Sequence, residues 1–188
     1  ELGSSENSEF SAALNVVGQQ RKFDTVTVTN ATELVSSLSD PDVEMVSLSS
    51  DVSVSSTVTV PTGTEKIIDL GGHKITVDTV GDMFRAENSS LYLMNGTVEG
   101  GVSSSNFVCS VTGSDVTVDN VTITGIYGGI NVRDSGNEKT SSVHISNSKI
   151  TAGTAPVLVF GNGDESEGKT VLTIDSSELV SSEYIAIA

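Results

Sequence analysis

Cysteine, tryptophan and long apolar runs are scarce or missing in this chain of 188 residues. Cys109 is the single cysteine, which excludes an internal disulfide framework and a cysteine-based zinc cage. Its neighbours Phe107, Val108 and Val111 predict a buried thiol. Since no apolar run approaches the ~18 residues that a membrane-spanning helix needs, the sequence predicts no direct membrane insertion.

Basic residues are also few, because nine Lys and Arg stand against 25 Asp and Glu, for a formal net charge of −16. This charge repels nucleic-acid phosphates and anionic membrane surfaces, so nucleic-acid binding is disfavoured. It favours cations such as calcium or a basic partner surface, although an excess of acid more commonly serves solubility. Aromatics make up only 4% of the chain, and small branched side chains dominate, which favours strands around a narrow core.

What the chain does contain is a repeat. Five segments share two alternating apolar positions, a polar corner, and a further apolar position five residues after the second. They are IIDLGGHKI (67–75), SLYLMNGTV (90–98), DVTVDNVTI (115–123), SVHISNSKI (142–150) and VLTIDSSEL (171–179), and VSLSSDVSV (46–54) is a degenerate sixth copy. The second apolar residues lie at positions 48, 70, 93, 118, 145 and 174, so the spacing grows from 22 to 29 residues. This drift indicates a coil with one expandable loop.

A third apolar strand precedes the later copies, as in Val58-Thr59-Val60 and Ile130-Asn131-Val132. Three short strands per turn, stacked on parallel neighbours ~4.8 Å apart, describe a solenoid rather than a set of hairpins. The connection after the third strand lengthens along the chain and carries most of the Gly, Ser and acid. The predicted fold is therefore all-β, a three-strand-per-coil parallel β-helix with coils over about 45–188.

The first corner of each coil, two residues after the second apolar residue of the repeat, carries small polar residues. Asn and Gly tolerate the left-handed backbone of a tight bend, and stacked Asn amides can hydrogen-bond from coil to coil. Asn95-Gly96-Thr97 and Asn120-Val121-Thr122 also match the glycosylation sequon, but an inward-facing Asn cannot carry a sugar, so we interpret both as structural. We predict an inward corner ladder of Ser50, Gly72, Asn95, Asn120, Asn147 and Ser176.

The stretch IIDLGGHKITV (67–77) suggests chemistry at first, because Asp69 and His73 stand beside a Gly-Gly pair. Aligned with the other copies, Leu70 and Ile75 take the inward positions, and neither Asp69 nor His73 recurs at its position. We therefore interpret this stretch as a corner of the second coil and not as a site.

The coil pattern, the Asn corner and the segment NATELVSSLSDPDVEMVSL (30–48) resemble the right-handed parallel β-helix of the pectin lyase-like superfamily, over about residues 23–188. Asn30 and Glu33 have capping-box spacing, and Leu34, Val35 and Leu38 form an apolar face, which predicts a short helix at about 30–39. The resemblance implies that this helix plugs the first coil and shields its edge.

Both ends of the chain carry a prediction of their own. Residues 1–22 are expected to form an arm or linker. No plug is evident at EYIAIA (183–188), which alternates like the first strand of another turn. We expect this end to be uncapped, so that the native β-helix continues beyond Ala188 or forms an oligomer by pairing with a second copy.

The resemblance also indicates where chemistry would lie, although a fold alone confers no activity. Lyases and hydrolases of this superfamily work in a groove on the strand before the expandable loop, with clustered acids, often calcium, and a basic residue. A hydrolase needs two carboxylates roughly 5–9.5 Å apart. This strand offers no such pair; its expected outward residues are Arg85, Val108 or Cys109, Asn131 and Leu158, with Arg133 just beyond. We predict no catalytic residue.

Loop acids are the remaining candidates for a metal. Calcium takes six to eight oxygens, and acidic loops on adjacent coils can supply several. The spacing matches neither an EF-hand nor a nonapeptide β-roll, and a solvated loop is the alternative interpretation. No other cofactor is implied; the weak calcium candidates are Asp134, Glu138, Asp164, Glu165 and Glu167.

Two functional hypotheses follow from different classes. The first is a non-catalytic, secreted or cell-surface, adhesin-like β-helix that presents its loops to a carbohydrate or a surface protein, or acts as a rigid spacer. The alternative is a polysaccharide lyase or glycoside hydrolase of the pectin lyase-like superfamily whose catalytic residues lie partly outside this fragment.

Overall fold

A computed structural model describes residues 24–79, 81–100, 107–125, 127–133, 140–160 and 170–183. The predicted arm at 1–22 lies outside these ranges. The chain opens with β1 (Thr25–Val28) and α1 (Ala31–Ser39), and then winds through six coils. The first two coils are β2 (Met45–Leu48), β3 (Val52–Val54), β4 (Val58–Val60), then β5 (Glu65–Asp69), β6 (Lys74–Val77), β7 (Phe84–Glu87). The third and fourth are β8 (Ser90–Gly100), β9 (Phe107–Thr112), then β10 (Asp115–Gly125), β11 (Gly128–Arg133). The last two are β12 (Ser141–Ser146), β13 (Lys149–Ala152), β14 (Ala155–Phe160), then β15 (Thr170–Asp175), β16 (Glu178–Ser181).

All described strand pairs are parallel, and each joins one coil to the next. The larger sheet has eleven strands and contains the order β1-β2-β5-β8-β10-β12-β15. The smaller has five, in the order β4-β7-β9-β11-β14. The prediction of an all-β parallel solenoid is confirmed, with about five turns and the first two strands of a sixth. In the third and fourth coils, β8 and β10 run through the first corner without a break.

The core is built from rows of small branched side chains that stack from coil to coil. One row is Ile68, Leu93, Val118 and Ile145, and all four side chains are buried. Burying each such side chain contributes roughly 1.5–3 kcal/mol. Ile174 continues this row in the sixth coil but is 37% exposed, because no further described coil covers it.

The helix α1 closes the first coil, as the capping prediction requires. Asn30 begins it by accepting a hydrogen bond from Glu33 N at 3.0 Å, while the Glu33 carboxylate accepts from Thr29 N at 2.7 Å. Leu34 and Leu38 are fully buried. The helix has nine residues, and no described helix is long and apolar enough to cross a membrane.

Lys66 is an exception inside the core, because its side chain is fully buried. It lies in register with Leu91 on the inward side of β5. Its Nζ donates to the backbone carbonyls of Asp40 and Val43, in the segment that leads from α1 into the first coil. The ammonium therefore joins the cap to the second coil.

In the first coil the repeat alignment is wrong by two residues, because Val46, and not Leu48, pairs with Ile68. The second coil is shifted in the same way. Ile68, and not Leu70, pairs with Leu93, whereas Ile75 pairs with Val98 as predicted. The corner between them is longer in this coil, with Leu70 as an additional buried residue. Asp69 consequently lies in register with Met94 and Asp119, so an acid does recur at its position.

Four of the predicted corner residues occupy equivalent positions on successive coils. They are Asn95, Asn120, Asn147 and Ser176, which directly follow the paired residues Met94, Asp119, Ser146 and Asp175. All four have left-handed backbones, with φ of 60°, 54°, 49° and 47° at Asn95, Asn120, Asn147 and Ser176. Asn120 Nδ2 donates to Asn95 Oδ1 at 3.0 Å. Gly72 is also left-handed, at φ 83°, but belongs to the longer corner, and the Ser50 hydroxyl donates to Thr29 O at 2.7 Å.

The prediction that these corner side chains face inward is wrong. Asn120 and Asn147 are exposed, and the interior next to Asn120 is filled by the buried Val121 instead. A left-handed residue at an outer corner turns its side chain toward solvent, where the amides bond along the outside of the solenoid. The inward-facing argument against glycosylation of Asn120 therefore does not apply.

Asn120→Val should destabilise the protein by about 1–3 kcal/mol, through left-handed strain in a β-branched residue and the lost amide bond to Asn95. The measurement is urea denaturation followed by circular dichroism. Asn120→Gly is the control, since glycine keeps the backbone conformation and loses only the hydrogen bond, and should cost less than half as much. Equal losses in the two variants would exclude backbone strain as the cause.

Candidate functional site

The outer face of the five-stranded sheet is the surface on which an enzyme of the resembled superfamily would work. We call it the groove face. Its central outward row, set by the strand register, is Thr59, Arg85, Ser110, Asn131 and Leu158. The expected Arg85, Asn131 and Leu158 are present. Cys109 is not in this row, because it pairs with Phe84 and Ile130 on the inward side.

Polar groups on the groove face are bonded to one another. Ser110 Oγ donates to Asp82 Oδ2 at 2.5 Å, and Asp82 Oδ1 accepts from Phe107 N at 2.9 Å. With the Asn131 amide oxygen facing Arg133, it accepts from the guanidinium Nε at 3.0 Å and Nη2 at 3.1 Å. Ser110 and Asn131 are moreover buried, so neither side chain is open to a substrate.

The described strands of this face do not carry the pair of acids that hydrolysis requires. Glu87 is exposed and lies 3.9 Å from Arg85, but the residue in register on the next coil is Thr112. Within the described strands, no second carboxylate faces Glu87 from an adjacent coil, whereas glycoside hydrolysis uses a pair. Nor do the described residues contain any group of three or more His, Cys, Asp or Glu that could hold a metal.

The calcium candidates Asp134, Glu138, Asp164, Glu165 and Glu167 lie outside the described residues. They belong to the connections that follow β11 and β14. Calcium binding there stays a prediction.

Cys109 is not a nucleophile in this structure. It is 4% exposed, and burial, together with the nearby Asp82 carboxylate, raises the pKa of the thiol to about 12. Because the thiolate is the reactive form, the side chain acts as a small apolar core residue.

A second surface, on the opposite sheet, was not identified from the sequence. It is the outer side of β2, β5, β8, β10 and β12, and we call it the tyrosine face. Its part-exposed apolar centre consists of Met45, Ile67, Tyr92 and Met94. Acids flank this centre on alternate coils: Glu65 and Asp69 on the second, Asp115 and Asp119 on the fourth.

A hydrogen-bond network holds the middle of this face. Asp119 Oδ1 accepts from Ser146 Oγ at 2.6 Å and from Asn147 Nδ2 at 2.9 Å. These two bonds, with another from Tyr92 and the nearby His144, lower the pKa of the Asp119 carboxyl below its ordinary value. Burial, and less strongly Asp119, raise the pKa of the Tyr92 hydroxyl. The network therefore links three consecutive coils.

No described Lys or Arg projects from the tyrosine face. Lys66 points inward, Lys74 pairs with Glu99 at 3.0 Å and Lys149 pairs with Glu178 at 2.8 Å on the neighbouring strands β6 and β13. The remaining described cations, Arg85 and Arg133, belong to the groove face. Among the described residues, the charged side chains of the tyrosine face are therefore acids.

Comparison with known proteins agrees with this architecture. Residues 25–157 match the model of the family described as "Putative pectate lyase-like adhesive domain". No curated protein and no solved structure matches the chain. The match spans well over half of the chain and covers the cap, the first four coils and most of the fifth. The chain therefore belongs to the pectate lyase-like adhesive domain family.

Proposed function

We propose that this chain is a non-catalytic adhesive domain of a secreted or cell-surface protein, which binds a carbohydrate or protein partner through the outer surface of its solenoid. The observation that carries the proposal is the groove face. There, Ser110 bonds to Asp82 and Asn131 to Arg133, and within the described strands no carboxylate faces Glu87 from the adjacent coil. The family description supports the adhesive role and an extracellular or surface location.

The solenoid is well suited to adhesion because its outer faces are rigid. Each coil is tied to the next by parallel strand pairing, and the corner bond from Asn120 to Asn95 adds a side-chain link. A surface that is already ordered loses little conformational entropy when a partner binds. A rigid spacer would use the same stiffness but would bind nothing.

Two measurements on the purified chain test the proposal. Binding to a glycan array and to immobilised extracellular proteins should give specific signals for some surfaces. Incubation with polygalacturonate should release no unsaturated product. Binding to no surface would overturn the adhesive role in favour of a spacer, and eliminative cleavage would favour the lyase alternative, with Arg85 or Arg133 as its only described basic residues on the groove face.

A further inference from the structure

We propose that Asn120 is the attachment site of an N-linked glycan. The site rests on the proposed function for one point only, the secreted or surface location, because acceptor sequences of this kind are used in secreted proteins. It lies at the outer corner within β10, where the amide and the hydroxyl of the acceptor sequence both face solvent.

The acceptor sequence Asn120-Val121-Thr122 presents its two reacting groups on the outside of the solenoid. Transfer of a glycan requires the Asn amide together with a hydroxyl residue two positions later. Asn120 and Thr122 are both exposed, whereas Val121 between them is 1% exposed and fills the interior. The left-handed backbone of Asn120, with φ of 54°, turns its side chain outward at the corner. Folding therefore leaves this sequence open to solvent.

The Asn120 amide can carry a sugar and still keep its bond to the preceding coil. A primary amide nitrogen has two hydrogens, and the bond from Nδ2 to Asn95 Oδ1 at 3.0 Å uses one of them. In the transfer, Nδ2 attacks C1 of the first sugar of a lipid-linked oligosaccharide. The C1–N bond forms, the C1–O bond to the lipid phosphate breaks, the lipid phosphate leaves with the electron pair, and Nδ2 loses one proton. The remaining N–H can donate to Asn95 as before.

The surface beside this amide has room for the first sugar. A shallow depression of about 370 Å³ lies there, lined by Gly72, Asn95, Gly96, Thr97, Asn120 and Thr122. This volume is within the range of small-ligand sites. A Cβ added at Gly72 would meet nothing within 4 Å, and Thr97 and Thr122, which are paired in register, supply hydroxyl groups that can bond to a sugar.

Three further acceptor sequences occur among the described residues, and each is less open than the one at Asn120. They are Asn30-Ala31-Thr32, Asn88-Ser89-Ser90 and Asn95-Gly96-Thr97. At Asn30 and at Asn95, the amide oxygen and the amide nitrogen are both hydrogen-bonded. Asn88 is only part-exposed, and the residue after it is buried. Asn120 is therefore expected to be the most fully modified of the four.

The test is to secrete the chain from cultured eukaryotic cells, which supply the transferase and the lipid-linked donor, and to map its glycopeptides by mass spectrometry before and after peptide-N-glycosidase treatment. Asn120 should carry a glycan in more than about half of the molecules. Thr122→Ala leaves the amide in place but removes the hydroxyl, so occupancy at Asn120 should fall by about tenfold or more. Thr122→Ser restores a hydroxyl and should restore the glycan.

The matched control is Asn147→Gln, which changes the equivalent left-handed residue one coil later, where Lys149 stands in place of the hydroxyl residue. Occupancy at Asn120 should be unchanged in this variant, and thermal melting shows that each variant is folded. An unmodified Asn120 in the secreted, folded chain would overturn the proposal, as would a glycan at Asn120 that persists undiminished in Thr122→Ala. Either result leaves the adhesive role standing, whereas a chain that binds to no surface fails as an adhesive domain whatever the state of Asn120.

Discussion

Lys66→Glu is expected to lower the free energy of unfolding by about 3–5 kcal/mol. The side chain is fully buried, and its ammonium donates to the carbonyls of Asp40 and Val43. A carboxylate at this position would face two acceptors and add to the nearby acids Asp42 and Glu44. Since domains are commonly stable by only 5–15 kcal/mol, this single change would leave a marginal fold.

Urea denaturation followed by circular dichroism measures this loss. The matched control is Lys74→Glu, the same chemical change on the next strand at an exposed position beside Glu99, where about 1 kcal/mol or less is expected. Losses of similar size at the two positions would contradict the assignment of Lys66 as the link between cap and solenoid.

Lys66 also makes the free energy of unfolding depend on pH. Burial lowers the pKa of Lys66 below its ordinary value of 10.5, although Asp40, Asp42 and Glu44 oppose the shift. In the window between the folded and the ordinary pKa, the unfolded chain binds more protons. The cost of burying the charge is therefore relieved only above 10.5. It grows as pH falls from 10.5 toward the folded pKa and is complete below the folded pKa. Lys66→Met should remove this part of the pH dependence.

Gly96→Val is expected to destabilise the protein by about 1–3 kcal/mol or more, although the residue in register on the next coil is Val121. A Cβ at position 96 would lie 2.4 Å from Leu70 Cβ and 2.6 Å from His73 O. Both obstacles belong to the longer corner of the second coil, and the backbone oxygen cannot rotate away. The side chain of Leu70 already fills the space that Val121 occupies one coil later.

Gly72→Ala separates this packing effect from backbone strain. A Cβ at position 72 meets nothing within 4 Å, but φ is +83°, so the expected loss is about 1–2 kcal/mol, from strain alone. A double variant, Gly96→Val with Leu70→Gly, should recover part of the loss by removing the nearer obstacle. No recovery in the double variant would show that Leu70 is not the residue in conflict.

The repeat made the architecture predictable because it is a local signal. Alternating apolar residues and an Asn corner recur every turn, and a helix with Asn30 as its N-cap follows the usual capping chemistry. The register of the second coil was not predictable in the same way. Leu70 and Ile68 are both apolar and both buried, and only the pairing of Ile68 with Leu93 decides between them.

The tyrosine face was not predictable from the sequence for the same reason. With Asp69 displaced by two residues in the alignment, its register with Asp119 was hidden. Lys66 was unpredictable for a different reason: a lysine in an apolar row is an exception that depends on two backbone carbonyls from a segment more than twenty residues earlier.

The pairing of each coil with only its neighbours also determines how this domain can change in length. Inserting or removing a whole turn would preserve every side-chain orientation and move a binding surface by ~4.8 Å along the axis. A single-residue deletion within a strand would instead turn that strand's apolar side chains outward. The distance of a binding surface from the start of the solenoid can therefore change in steps of one coil, without any change in the surface itself.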